Sequence, residues 1–356
     1  MKSRKICFIS TEPEETAFFA GKFDRYDPQF CELVADVPAD VEVLSIFIND
    51  RIDSKFLAAH PALKFISTRS TGFDHVDCDA CKAAGIEVTN VAGYGENTVA
   101  EHTFALMLAL SRRIRESTEA AFAGKVSHEK IRGIDLRGRT LGVVGAGRVG
   151  LHVIRISAAF GMSVLAYDAY PNPLYTELLD FRYTSFEDLL RNSDLITLHV
   201  PLNEETFHML NRQTLELCRP GVLIINTARG ALIESEALLE AIDCGQVGGA
   251  GLDVLEEEKV FRGGATEQLG AQIADRVRGS GGERIALPSS RMKEISRFLS
   301  SNSLLRRPQV VFTPHNAYNS DEAREFISRV TAENIEKYLR KPRARKRLKQ
   351  SPPDLS

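Results

Sequence analysis

The sequence predicts an α/β protein built on doubly wound parallel sheets, and three observations carry that prediction. Its 356 residues exceed what one hydrophobic core ordinarily serves, so two domains are expected. Short apolar runs alternate with helical stretches in two successive series, the pattern of strands joined by crossover helices. A glycine-rich turn, Gly145-Ala146-Gly147-Arg148-Val149-Gly150, joins an apolar strand directly to a helix.

In the first series, residues 5–10, 43–48, 65–68 and 87–90 read as strands, with helices over 53–60 and 77–84 between them. Residues 98–113, rich in Ala and Leu and without Gly or Pro, predict a long helix that serves as a spacer between domains. The second series gives strands over 140–145, 163–167, 195–199, 222–226 and 249–253. Helices are expected over 148–160, 186–191 and 235–243. Residues 259–308 break the rhythm. They are rich in Gly, Ser and Arg and predict an extended loop with one helix around 291–299. A strand over 309–312 and an amphipathic helix over 321–339 follow. Residues 341–356 read as a basic, then Pro-containing, flexible tail.

Composition narrows the function classes. The chain is 43% hydrophobic and 26% charged with a net charge of -3, which offers no electrostatic case for nucleic acid or an anionic membrane. No apolar run approaches the ~18 residues of a membrane span. The apolar run Ile6-Cys7-Phe8-Ile9 is too short for a signal sequence and ends at Thr11-Glu12, so it reads as a buried strand. Six scattered cysteines do not form a disulfide framework and suit a reducing cytoplasm. The C-x-x-C pair Cys78 and Cys81 has no second pair or His cluster at metal-ligand spacing. It reads as two small residues in a helix's first turn, and no metal site is predicted.

The glycine turn has the surroundings that give such a turn meaning. The strand Leu141-Gly142-Val143-Val144 runs into it and a helix leaves it. Gly145 permits the tight turn, Gly147 lets backbone approach a pyrophosphate, and Gly150 allows close helix–strand packing, while the helix N-terminus offers N–H groups to the anion. The next strand ends in Asp168, whose carboxylate suits ribose hydroxyls and repels a 2′-phosphate. Ala169 follows, with no Arg to receive that phosphate, so NAD is predicted over NADP.

Ionisable residues at the carboxyl ends of later strands suggest a reaction. Arg229, Glu258 and His315 follow three of them. Reduction of a 2-oxo acid needs a cation for the carboxylate, best met by a bidentate guanidinium. It also needs a proton donor for the carbonyl oxygen, and His titrates in the useful range. A carboxylate beside that His favours the imidazolium.

With these motifs in place, the sequence resembles the D-isomer-specific 2-hydroxyacid dehydrogenases over roughly residues 5–340, and most closely their D-lactate dehydrogenase branch. The match is carried by the glycine turn with Tyr167-Asp168-Ala169-Tyr170-Pro171, by Leu198-His199-Val200-Pro201-Leu202 and by Asn226-Thr227-Ala228-Arg229-Gly230. Leu252-Asp253-Val254-Leu255-Glu256-Glu257-Glu258 and Thr313-Pro314-His315-Asn316-Ala317-Tyr318 complete it.

The resemblance implies a catalytic set of Arg229, Glu258 and His315. Arg229 binds the substrate's carboxylate and carbonyl, His315 is the acid/base, and Glu258 pairs with it. The cofactor set is Gly145, Gly147, Arg148, Val149, Gly150, Asp168, His199, Val200, Pro201, Thr227, Ala228, Arg229, Asp253 and His315, with Asp253 holding the nicotinamide carboxamide. Substrate contacts are implied for Thr71 and Gly72, in the loop Ser70-Thr71-Gly72-Phe73-Asp74, and for Tyr94, Arg229, His315 and Tyr318. The aromatic Tyr318, three residues after His315, favours the lactate and 2-hydroxyisocaproate enzymes over the phosphoglycerate branch. Between Glu258 and His315 lie 315−258 = 57 positions, more than the branch leads one to expect.

The resemblance also implies a particular topology. A Rossmann-like NAD domain, residues 98–314, is inserted into a discontinuous flavodoxin-like substrate domain made of 1–97 and 315–340. The expected activity is NADH-dependent reduction of pyruvate to D-lactate in a cytoplasmic homodimer. Other 2-oxo acids (2-oxoisocaproate, phenylpyruvate, glyoxylate, hydroxypyruvate) and the phosphoglycerate reaction remain alternatives, as does an NAD(H)-binding corepressor of the same fold.

Overall fold

The computed structural model describes residues 4–48, 50–129, 131–256 and 289–341. The chain divides into two compact units, one running to Tyr94 and resuming at Ser320, the other spanning Gly95–Asn319. These limits lie a few residues from the expected boundaries, so that His315 and Tyr318 belong to the second unit.

The first unit holds β1 (Ile6–Ile9), α1 (Pro13–Lys22), β2 (Gln29–Cys31), β3 (Val43–Ile46), α2 (Ser54–Ala59), β4 (Phe65–Thr68), α3 (Cys78–Ala83) and β5 (Glu87–Thr89). The strands form one parallel sheet in the order β2-β1-β3-β4-β5. Strands β1, β3 and β4 are buried throughout, as expected of a sheet covered on both faces. One face packs Cys7, Ile9, Leu44, Ile46 and Ile66 against Leu57 and Cys81 of the helices α2 and α3. The other packs Phe8 and Phe65 against Phe19 of α1 and against Ala332 and Ile335. The last two belong to the C-terminal helix, Asp321–Arg340, where Tyr338 stacks on Phe65 at 4.6 Å.

The C-x-x-C pair lies in the first turn of α3, capped by Asp77, whose side chain accepts from the Ala80 N–H. Burial is the main influence raising the pKa of both thiols, that of Cys81 to about 11. Redox-active cysteines have the opposite tendency.

The second unit opens with α4 (Glu96–Ser111) and α5 (Ile114–Phe122) and continues as a seven-stranded parallel sheet. In chain order it adds β6 (Thr140–Val144), α6 (Arg148–Ala159), β7 (Ser163–Tyr167), α7 (Pro173–Leu179), β8 (Arg182–Tyr183), α8 (Phe186–Asn192) and β9 (Leu195–Leu198). Then come α9 (Arg212–Glu216), β10 (Val222–Asn226), α10 (Ser235–Asp243), β11 (Val247–Leu252), α11 (Ser289–Leu305) and β12 (Val310–Phe312); the C-terminal helix is α12. The strand order is β12-β11-β10-β9-β6-β7-β8. The order therefore reverses between β6 and β9, and a crevice opens there beyond the strands' carboxyl ends.

One expectation needs correction and another is extended. The helix read as a spacer is part of the second unit's core: Ala100, Phe104, Leu106 and Met107 of α4 are buried with Leu141, Val143 and Ile225 of the sheet. Its apolar residues are there to be packed, not to bridge. Within the stretch 259–308, the helix expected around 291–299 is present and longer, as α11, with Leu304 buried in the core beside Leu238 and Ile242 of α10. Residues 257–288 and the tail beyond Lys341 lie outside the described residues. No helix among those described is long and apolar enough to cross a membrane.

Candidate active site

The glycine turn occupies the crevice where the strand order reverses. Gly145 has φ +97°, donates its N–H to Tyr167 O (2.8 Å) and sits so close to His199 that a Cβ would lie 2.9 Å from the His199 carbonyl. His199 N–H in turn donates to Val144 O at 2.7 Å. A Cβ on Gly150 would meet Gly145 O at 2.0 Å, whereas one on Gly147 would meet nothing within 4 Å. Two of the three glycines are thus demanded by packing. The third keeps the approach to the N-terminus of α6 clear, where unpaired helix N–H groups attract a pyrophosphate.

Asp168 follows β7 and closes the turn from the side. Its Oδ2 accepts from Ala146 N–H and its Oδ1 from Tyr170 N–H, both at 2.8 Å. Arg148 opens α6 and pairs with Glu96 at 2.9 Å, while Val149 packs against the hydrophobic core. His199 is held neutral: desolvation by surrounding protein lowers its pKa to about 3, and Nε2 meets Thr197 Oγ1 at 3.0 Å. Val200 is half-buried and Pro201 exposed beyond it.

Three neighbouring strand ends form the other half of the site. The backbone links them in a chain: Asp253 N–H donates to Asn226 O (2.9 Å), and His315 N–H to Asp253 O (2.8 Å). The loop after β10 is closed by Asn226, whose Nδ2 donates to Arg229 O (2.8 Å) and whose Oδ1 accepts from Ala228 N–H (3.0 Å). Thr227 is buried and its hydroxyl meets that of Thr103 at 3.1 Å. Arg229 itself is half-buried, with Nη1 donating to Ala228 O. A guanidinium presented on so tightly closed a turn has its direction set before any acid arrives.

His315 adopts φ +54°, a left-handed conformation that costs a non-glycine residue about 1–2 kcal/mol. Asp253 is the counterweight. It is fully buried and its carboxylate accepts from Asn316 N–H (2.7 Å), Ala317 N–H (3.0 Å) and Thr313 Oγ1 (2.5 Å). The His315 and Tyr318 rings meet edge-on, 6.4 Å apart. The sequence reading assigned Asp253 to the nicotinamide amide; its carboxylate also braces the turn that carries His315.

Glu258 lies outside the described residues. Two positions earlier, Glu256 is buried and its carboxylate binds His208 Nε2 (2.7 Å) and Ser235 N–H (2.8 Å). Sequence reading passed over Glu256 as part of an acidic run, and over His208 altogether. A cue was present in hindsight only as a run of three acids, one of which can be turned inward.

In the first unit, the loop after β4 is shaped from within. Ser70 Oγ donates to Gly72 O (2.6 Å), Thr71 Oγ1 to Val91 O (3.0 Å) and Asn90 Nδ2 to Thr71 O (2.7 Å). Beneath it, fully buried Arg69 donates to Ile9 O, Ser10 O and Ser45 Oγ. Thr71 is exposed, Gly72 half-buried, and Tyr94, half-buried, ends this unit's first segment. Among the described residues no group of three or more His, Cys, Asp or Glu is placed to hold a metal ion.

Comparison with known proteins agrees with this geometry. Residues 104–317 match the family model "D-isomer specific 2-hydroxyacid dehydrogenase, NAD binding domain", so the glycine turn belongs to an NAD-binding domain. The chain is 33% identical to D-lactate dehydrogenase of Escherichia coli (strain K12), covering 89% of each chain. It is 32% identical to an aromatic 2-oxoacid reductase of Clostridium sporogenes, over 94% of this chain and 96% of that one. Among solved structures, D-lactate dehydrogenase from Aquifex aeolicus, complexed with NAD and lactic acid, superposes with a TM-score of 0.79. It is 33% identical, covering 94% of this chain and 95% of that one.

Proposed function

Since the chain belongs to the D-isomer-specific 2-hydroxyacid dehydrogenases and is an NAD-dependent member of that family, we propose that it reduces a small 2-oxo acid to the D-2-hydroxy acid, with pyruvate to D-lactate as the preferred reaction. The observation that carries this reading is the linkage of three strand ends: Arg229 and His315 stand on turns joined through Asn226 and Asp253. An anion anchor and a proton donor are thereby held in one rigid frame, which is what positioning a 2-oxo acid requires.

In this mechanism Arg229 receives the carboxylate through its guanidinium fork. His315 delivers a proton to the carbonyl oxygen as it becomes an alkoxide, and withdraws it in the reverse direction. Glu258 favours the imidazolium. Bound NADH supplies the hydride that becomes the hydrogen on C2. The neutral His199 adds no positive charge beside the glycine turn, so anion attraction there comes from the backbone N–H groups of α6 and the Arg148 guanidinium. For Thr71, Gly72, Tyr94 and Tyr318, substrate contact is what the family resemblance implies.

A specific observation keeps a second substrate class in play. The Clostridium relative acts on aromatic 2-oxo acids by its name and matches over nearly the whole length. NADH oxidation measured with pyruvate, phenylpyruvate, 2-oxoisocaproate, hydroxypyruvate and glyoxylate tests the proposal. The highest kcat/KM is expected with pyruvate. A preference for phenylpyruvate would move the chain to the aromatic class, and silence on every acid would favour the corepressor-like reading. A cytoplasmic setting is supported by six cysteines that are all free thiols. A homodimer is what the family resemblance implies, and Ile114 and Phe122 of α5, 51% and 90% exposed, are the side chains we assign to its interface.

A further inference from the structure

We propose that His102 and Thr313 are positioning residues: a hydrogen-bond relay runs from His102 through Thr313 to Asp253 and fixes the turn that presents His315. The inference rests on the reading of His315 as the proton donor. His102 lies on α4 and Thr313 just after β12, 211 residues apart in sequence, on elements that pack together. The His102 side chain is only 20% exposed.

The direction of the relay follows from its ends. Thr313 Oγ1 donates its one proton to Asp253 Oδ1 at 2.5 Å. Its oxygen is then an acceptor toward His102 Nε2, 2.9 Å away, so Nε2 carries a proton. That same Nε2 lies 3.5 Å from Asp253 Oδ1. An imidazole with a proton on Nε2 donates in either charge state, so the relay does not depend on whether the ring is charged.

At the far end, Asp253 accepts the N–H groups of Asn316 and Ala317, the two residues after His315 with its left-handed φ. A carboxylate shared among these donors can hold two successive amides only if its own orientation is fixed. Thr313 Oγ1, backed by His102 Nε2, anchors Oδ1, the oxygen that also accepts the Asn316 N–H, while Oδ2 takes the Ala317 N–H. The relay touches none of the reacting atoms; its effect is geometric, through the turn. Without it, the two amides alone hold the Asp253 carboxylate; it reorients more readily, the turn loosens, and His315 samples less strained conformations in which its ring is misdirected.

The test uses pairs that keep or remove each donor in the full chain. Thr313→Ser and His102→Gln retain a hydroxyl at Thr313 and an amide N–H near the Nε2 position; Thr313→Val and His102→Leu do not. The expected result is a kcat lowered by about tenfold in Thr313→Val and His102→Leu, with KM for the 2-oxo acid within about twofold of wild type. Thr313→Ser and His102→Gln should recover most of kcat, and the double variant Thr313→Val/His102→Leu should be no worse than the poorer single one. Hydrogen exchange at Asn316 and Ala317 should speed up in the two donor-less variants alone. Because exchange is read without turnover, it decides the relay even if wild type reduces no 2-oxo acid, an outcome that would sink the assignment of His315 and not the relay. Unchanged exchange and kcat in both donor-less variants would overturn the proposal. So would equal loss in Thr313→Val and Thr313→Ser, and so would a lowered kcat accompanied by a raised KM for the 2-oxo acid and a lowered melting temperature, which would mark a merely structural role.

Discussion

Arg229 and His315 make different demands on the chemistry of single residues, and their substitutions should separate accordingly. Arg229→Lys keeps a charge but exchanges a planar fork for a point donor. The expected outcome is a KM for the 2-oxo acid raised by about tenfold or more, with NADH affinity, measured by fluorescence titration, unchanged. On the proposed mechanism His315→Ala removes the proton donor, a contribution of about 10²–10⁴ in rate; kcat should fall by that order while NADH still binds. Asp168 has a double task. It closes the glycine turn through Ala146 and Tyr170 and, on the proposed reading, repels a 2′-phosphate, so Asp168→Ala should reduce the NADH-over-NADPH ratio of kcat/KM by about tenfold. Comparison of initial rates with the two cofactors checks it.

Between residue and fold stand the segments that follow the strands, and their spacing is enforced by backbone contact. Gly230 has no room for a side chain: a Cβ would lie 2.1 Å from the Leu255 carbonyl carbon and 2.6 Å from Glu256 N. The turn bearing Arg229 therefore presses directly on the segment leading from Asp253 to Glu256, and Glu256 reaches back to Ser235 N–H. Gly230→Ala should force these segments apart, lowering both melting temperature and kcat/KM, with the loss in activity larger than Arg229→Lys produces. At this scale the sequence was legible wherever period and punctuation agreed. The strands 65–68, 163–167 and 222–226 and the helix 235–243 appear with those limits. Elements whose pattern is weak escaped: β2 is three residues with an exposed first position, and α5 carries its apolar residues into solvent, so neither shows a buried face to read.

For the molecule as a whole, stability and assembly each give a measurable consequence. An unfolded His titrates near 6.5, while His199 in the fold is lowered to about 3 by desolvation. Below pH 6.5 the unfolded chain gains a proton that the folded ring refuses. Its contribution is therefore complete above pH 6.5 and is lost as pH falls toward 3. His199→Gln should show a smaller drop in melting temperature between pH 8 and pH 5 than wild type; equal drops would exclude His199 from the acid limb. Phe122, 90% exposed, belongs to the surface proposed for a second copy. Phe122→Glu should shift the sedimentation coefficient from dimer to monomer while leaving the melting curve of the fold nearly unchanged.

The sequence alone determined the features that depend on local chemistry. The parallel sheets followed from apolar runs between helices, the cofactor from a glycine turn with Asp168 one strand later, and the candidate chemistry from Arg229 and His315 after strands. Each signal lies within a few consecutive residues, where backbone sterics and hydrogen-bonding capacity leave few options. Tertiary structure decided what depends on meetings between distant residues. It packed α4 into a core, turned Glu256 inward to His208 and Ser235, and joined His102 to Thr313 across 211 positions. A lone His on a helix face carries no local mark of its partner, because a hydrogen bond is specified by where the fold brings two atoms and not by what flanks either one.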